Sequence, residues 1–253
     1  MANMEFLRSN LLQTTTMATA TAGNGSGTYA YLHDRNLGLR YSSSGYTTST
    51  TLAISVVFAA PTVISHVALQ NHGIRDYQLS YNSATGANVL VTVASNSATS
   101  TYHSFASVTV NSIEIYTTRA TTVDTERRIG EWIMSERLMQ FERNPSTRDY
   151  NPARPLKRVI HEMPDGGKTA FNIRQKFKAK IGFGFISDSF TSQLQSVYDT
   201  GSAVYFLPFT TTTGWAGVAH EVLWTNEWDF SYSENSKSQG QTGHVVLEET
   251  SNS

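Results

Sequence analysis

Apolar residues recurring at every second position constrain this chain most, because a period of two lines one face of a strand and is incompatible with an amphipathic helix. Leu52, Ile54, Val56 and Phe58 form one such set, Tyr77, Leu79 and Tyr81 a second, and Val89, Val91 and Val93 a third. β-branched and aromatic side chains dominate these runs, as a half-buried pleated surface favours. Turn-forming clusters at 23–27, 42–45, 71–73, 82–86 and 96–100 interrupt them, at the spacing of an antiparallel sandwich. Hydroxyl groups do much of the solvation: 32 Thr and 29 Ser stand among 253 residues, and only 15% of the chain is charged.

The net charge of −1 hides a strongly uneven distribution. Residues 24–120 carry seven charged side chains, residues 124–180 carry twenty-one of which thirteen are basic, and from residue 181 onward Lys237 is the only base against eight carboxylates. A chain organised in two parts is expected, with the change near residue 120. The segment 124–143 reads as a closing strand followed by an extended linker. Pro145, Pro152 and Pro155 then fall within eleven residues, each disfavouring helix in the residue before it. The expected divisions are an arm over 1–23, a sandwich over 24–136, a linker over 137–156 and a second β domain over 157–253.

In that second part 157–163, 169–177, 178–186, 203–209, 221–224 and 244–248 read as strands. Ser187 is the N-cap of a single helix near 188–199, with Phe190, Leu194, Val197 and Tyr198 on one face and Gly201 beyond its end. The fold class is therefore mainly β: an N-terminal jelly-roll sandwich plus a C-terminal β-sandwich or barrel flanked by one α-helix.

Several chemistries are excluded by what the motifs lack. There is no cysteine, so thiolate nucleophiles, disulfides and Cys-ligated zinc are absent. The run from Asp165 to Thr169 ends like a phosphate loop, but Glu162 stands where the first glycine is required, and a turn is the better reading. His161 and Glu162 open like a zinc-protease helix, yet Pro164 forbids that helix and Asp165 occupies the second histidine position. The glycines at 23–27 have neither a preceding apolar strand nor a following helix. No Gly-x-Ser-x-Gly elbow occurs, and an enzyme is not expected. Neither a cofactor nor a metal is implied. A near-neutral chain is not expected to bind nucleic acid through its phosphates. The first residues carry no apolar run of signal-peptide type, and no stretch approaches the roughly 20 apolar residues of a membrane span.

Two loop clusters could hold a small polar ligand. His33, Asp34 and Arg40 lie beside Tyr31 and Tyr41, and Asn71, His72 and Arg75 follow a strand; aromatic faces with planar polar groups suit sugar recognition, and equally these are ordinary turn residues. Late in the chain aromatics crowd together, among them Tyr205, Phe209, Trp215, Trp224 and Trp228, as interface surfaces do and as a core also would.

The order Tyr31 to Asp34, Ser55 to Phe58 and Thr62 to His72 resembles the galactose-binding-like β-sandwich of discoidin-type modules over residues 24–136. The second half, with Phe141 to Pro145, Met163 to Gly167, Tyr205 to Phe209 and Val222 to Phe230, is similar to structural proteins of tailed-phage tails, of distal-tail or tail-tip type. Together the resemblances imply a virion tail protein, made in the host cytoplasm. It would form a homo-oligomeric ring, a hexamer or trimer, and contact other tail proteins. The alternative is a carbohydrate-binding or adhesion module that meets a cell-surface glycan through the sandwich loops. A basic stretch over 154–180 followed by an acidic end also suits head-to-tail association of identical subunits.

Overall fold

The computed structural model describes residues 3–13, 25–26, 29–43, 52–120, 127–146, 148–164, 166–208, 219–232 and 240–250. In chain order the strands are β1 (Glu5–Leu7), β2 (Gly25–Ser26), β3 (Tyr41–Ser43), β4 (Leu52–Gln70), β5 (Ile74–Ser83), β6 (Gly86–Val93), β7 (Thr101–Ala120), β8 (Arg128–Ile129) and β9 (Glu131–Ser135). They continue with β10 (Arg137–Gln140), β11 (Tyr150–Ala153), β12 (Leu156–Glu162), β13 (Lys168–Gln175) and β14 (Lys178–Ile186). After the helix α1 (Asp188–Tyr198) come β15 (Val204–Leu207), β16 (His220–Trp224), β17 (Phe230–Tyr232) and β18 (Gln241–Glu249). The protein is mainly β, its strand pairs are antiparallel, and α1 is the one α-helix among the described residues.

The first half is a five-stranded sheet in the order β6-β5-β7-β4-β9, covered by the short β2-β3-β8 sheet. Ile54, Val56, Phe58, Tyr77 and Leu79 point into one core with Tyr41 of β3 and Ile129 of β8, so the period-two residues face inward as expected. β6 departs from the expected alternation. Leu79 pairs with Val91 but Ser80 pairs with Val89, leaving Leu90 as an extra residue that flips the phase. Val89 is consequently turned outward and exposed.

The second half is built on a sheet ordered β10-β1-β15-β16-β18-β14-β11, with β17 on β18. Here the structure departs from the expected divisions. Residues 1–23 were expected to be an arm, but β1 lies inside this sheet between β10 and β15, with all three residues buried. Residues 137–156, expected as a linker, supply β10 and β11 to the same sheet. Both departures have one cause: these strands are three or four residues long, too short to show a period, and their hydrogen-bonding partners lie far away in sequence. Pro152 is accommodated because β11 is an edge strand, where a missing N–H costs little, and Pro145 and Pro155 fall between strands.

α1 begins at Ser187, whose Oγ accepts the Phe190 N–H at 3.1 Å, and buries Phe190, Thr191, Leu194 and Val197 against the second core. Tyr198, expected on that face, is half-exposed at the helix end and meets Trp224 edge-on instead. No described helix is long and apolar enough to cross a membrane.

A third, smaller cluster joins the halves: Leu7, Ala68, Ile133, Tyr205, Leu207 and Ala219. Residues 64–70 of β4 and all of β9 are buried on both faces, because one face meets the sandwich core and the other meets the second sheet.

Phe6 is fully buried, with ring centroids 5.7 Å from Phe141 and 5.3 Å from Phe206. Phe6→Ala is expected to lower unfolding free energy by about 3–5 kcal/mol, measurable as a shifted urea midpoint.

Candidate functional site

The expected ligand loops do come together, but much of their chemistry is consumed internally. Asn71, at φ 48°, donates from Nδ2 to the Leu37 carbonyl at 2.5 Å, which ties the 71–73 turn to the 33–40 loop. Asp34 Oδ1 accepts the Asn36 N–H at 2.9 Å within the same loop. His72 is fully buried; its Nδ1 accepts the Ile74 N–H at 3.2 Å, which leaves Nε2 to donate to Thr101 Oγ1 at 3.0 Å. The Tyr77 hydroxyl lies between Thr101 Oγ1 at 2.8 Å and His103 Nε2 at 2.6 Å. Burial, reinforced by the charge of His103, pushes the His72 pKa down to about 4. His72 is therefore a neutral core histidine. His33 and Arg75 are half-buried and Arg40 is exposed, so these three can still face a ligand.

Sequence reasoning missed a polar seam between the halves. Glu5 of β1 accepts from the Tyr102 hydroxyl at 2.5 Å, lies 2.9 Å from His66 Nε2 and is 3.4 Å from Arg137 Nη1. Burial alone would raise its pKa; the His66 and Tyr102 hydrogen bonds and the His66 and Arg137 charges outweigh it and hold the carboxyl below the usual range. His66 Nδ1 also meets Ser65 Oγ at 2.7 Å, giving a serine, histidine and carboxylate in line. That line is no nucleophilic site: Ser65 is fully buried and its Oγ accepts the Arg137 N–H at 2.9 Å.

On the other side of the seam Arg35 Nη2 reaches Glu221 Oε1 at 2.7 Å, Gln70 Nε2 donates to the Ala219 carbonyl at 2.9 Å and Tyr205 donates to Glu131 Oε1 at 3.3 Å. They surround a cavity of about 80 Å³ with His220 and Glu249, which are 3.1 Å apart. Among the described residues no group of three or more His, Asp or Glu is arranged to hold a metal ion. Burial drives the Glu131 pKa up to about 7, opposed by the Tyr205 hydrogen bond.

The expected interface residues divide. Tyr205 is buried inside the chain in the seam, out of reach of another molecule, while Phe209 and Trp215 lie outside the described residues. Trp224 and Trp228 are half-exposed and stack at 5.9 Å; Tyr198 packs on both and Phe230 on Trp228. Beside them a groove of about 530 Å³ is bounded by the end of α1 and by Trp224 to Glu227.

β12 and β13 form a ribbon that pairs with no other described strand. All seven residues of β12 are exposed, Ile160 to 63%, and Met163 at the turn to 48%. Gly166, at φ 83°, closes the turn where the sequence predicted one, Asp165 itself being outside the described residues. Alternation in the sequence indicated these two strands; nothing in it showed that they would stand clear of the body.

No family model matches the chain, and no curated protein matches it. Solved structures do show similarity over about half of it. Chitosan-binding module 1 from a chitosanase/glucanase of Paenibacillus sp. IK-5 is 18% identical with a TM-score of 0.41, covering 49% of this chain and 97% of that one. The family 32 carbohydrate-binding module of Streptococcus pneumoniae EndoD is 19% identical with a TM-score of 0.39, covering 51% and 99%. A GH31 CBM32-2 module bound to GalNAc is 10% identical with a TM-score of 0.42, covering 48% and 98%.

Two titrations act on stability in opposite directions. Glu131 has a folded pKa raised from 4.5 to about 7, so its contribution is complete below 4.5 and lost as pH rises through 7. His72 has a folded pKa lowered from 6.5 to about 4, so its contribution is complete above 6.5 and lost as pH falls through 4. In thermal melts against pH, Glu131→Gln is expected to flatten the decline on the alkaline side of that window and His72→Gln the decline on the acid side.

Proposed function

We propose that this chain is a non-enzymatic structural subunit that associates with copies of itself, as a ring-forming component of a bacteriophage tail or tail tip that also contacts other tail proteins. The observation that carries self-association is the β12–β13 ribbon. A two-stranded hairpin is marginal in water by itself, and this one exposes Leu156, Val159, Ile160 and Met163 and pairs with no other described strand. Packing against another copy would cover these side chains. Charge supports the same reading: Lys157, Arg158, Lys168 and Arg174 lie on the ribbon, whereas the chain beyond residue 181 is acidic. The phage assignment rests on the resemblance of the second half to tail proteins.

Size-exclusion chromatography with light scattering tests it. The parent chain is expected to run as a discrete oligomer, and Ile160→Asp to weaken association roughly thirtyfold, the worth of about 2 kcal/mol of buried apolar side chain, with an unchanged circular dichroism spectrum. A parent chain that stays monomeric at high micromolar concentration would sink the proposal.

A second reading is glycan binding by the sandwich loops, favoured by the Asn71 bond that joins the two loops and by the remaining accessibility of His33, Arg40 and Arg75. Chitosan oligomers and N-acetylgalactosamine are the sugars to try first. Arg40→Ala and Arg75→Ala are expected to abolish retention on an immobilised glycan without lowering the melting temperature; retention unchanged in both variants rejects these loops as the site.

A further inference from the structure

A cavity of about 560 Å³ lies in the second half, away from the sandwich loops. It is formed where β14 is interrupted: the pairing with β18 is regular as far as Phe183 and resumes at Ile186. Phe185, inside that interruption, has φ 58° and is 56% exposed. A bulky aromatic residue gains nothing locally from a left-handed backbone, and exposing its ring to water is a second cost. The surroundings impose both. Arg143 Nη2 donates to the Gly184 carbonyl at 2.8 Å on one side, and on the other Gly240 packs so closely that a Cβ there would sit 2.2 Å from the Ile186 carbonyl oxygen. Phe183 and Phe190, packed at 5.7 Å on each other and both on Phe141, make an apolar floor.

The polar wall is equally definite. Glu142 Oε1 accepts Ser187 Oγ at 3.2 Å and Asp149 Oδ2 accepts Ser146 Oγ at 2.5 Å, so both carboxylates are held in place by one oxygen. Among the described residues no further hydrogen bond is made by Glu142 Oε2 or Asp149 Oδ1. Asn144 lines the same wall. The two carboxylates repel a phosphate or carboxylate ligand, and the Arg143 guanidinium beside them offsets part of their attraction for a cation. Hydroxyl donors suit the carboxylates, and a ring with one apolar face suits an exposed phenyl group. The volume falls in the range of small-molecule sites.

We infer that this cavity is a binding site for a neutral sugar ring, which stacks on Phe185 and donates hydroxyl hydrogen bonds to Glu142 and Asp149. It is a different place from the sandwich loops and does not depend on the chain being an assembly subunit.

The full chain would be screened by saturation-transfer NMR against glucose, galactose, mannose, their N-acetylated amino forms and β-linked disaccharides, with titration calorimetry on whichever binds. At least one is expected to bind at millimolar concentration, with Phe185→Ala and Asp149→Asn each weakening it about tenfold or more. Phe185→Gly separates binding from folding: glycine is at ease at this φ, so the melting temperature is expected to hold or rise while binding is lost. Arg40→Ala and Arg75→Ala are expected to leave this binding unchanged. Absence of binding by every sugar in the panel, binding indifferent to Phe185→Ala, or binding lost only in the two arginine variants would each overturn the assignment.

Discussion

A carboxylate buried at the junction of two sheets has to be answered by donors, and the answer given to Glu5 organises this molecule. Its donors come from three different strands: Tyr102 of β7, His66 of β4 and Arg137 of β10. Leaving such a charge unpaired would cost several kcal/mol. Because side chains alternate along a strand, slipping β1 by one residue would carry Glu5 into the apolar second core and Phe6 into the polar seam. One ionised group therefore sets the register of the strand on which β10 and β15 are both laid.

The seam also explains where charge is placed. The sandwich has few charged residues, and two of them, Asp34 and Arg35, stand near the join, Arg35 bridging to Glu221 of the second sheet. Tyr205 bonds back to Glu131 across the same boundary, and Gln70 reaches the Ala219 backbone. The halves are joined by directed polar contacts around a small apolar patch, an arrangement that specifies one relative placement better than apolar contact alone.

Legibility in the sequence followed the physics of each element. β4, β5 and the helix were readable because one side of each meets water, so period and caps show. β9 and the later part of β4 obscured their own pattern: with both faces covered, Ser65, His66 and Gln70 are as buried as Ile64 and Leu69. β1, β10 and β11 are too short to carry a period. In the loops, His72 looked like a ligand residue beside a turn, yet the histidine turns inward to bond Thr101. The late aromatics were legible as a cluster but not as core or surface: Tyr205 is buried, whereas Trp224 and Trp228 pack on the second core and stay half-exposed. The Phe185 cavity was not, although the alternation of Gly182, Phe183, Gly184 and Phe185 hints at a backbone that needs freedom; a left-handed phenylalanine comes from neighbours on both sides, which no local pattern records.

The placement of β1 has a kinetic meaning as well. The five-stranded sheet draws all its strands from residues 52–135 and can assemble while later residues are still being made. β1 pairs with β10 across more than a hundred residues and with β15 across about two hundred. Until then Phe6 and Leu7 have no cover, and β10 is not joined to β15 in the second sheet. The earliest strand in the sequence is thus among the last to find its neighbours, and maturation of the second half ends on an event that spans nearly the whole polypeptide.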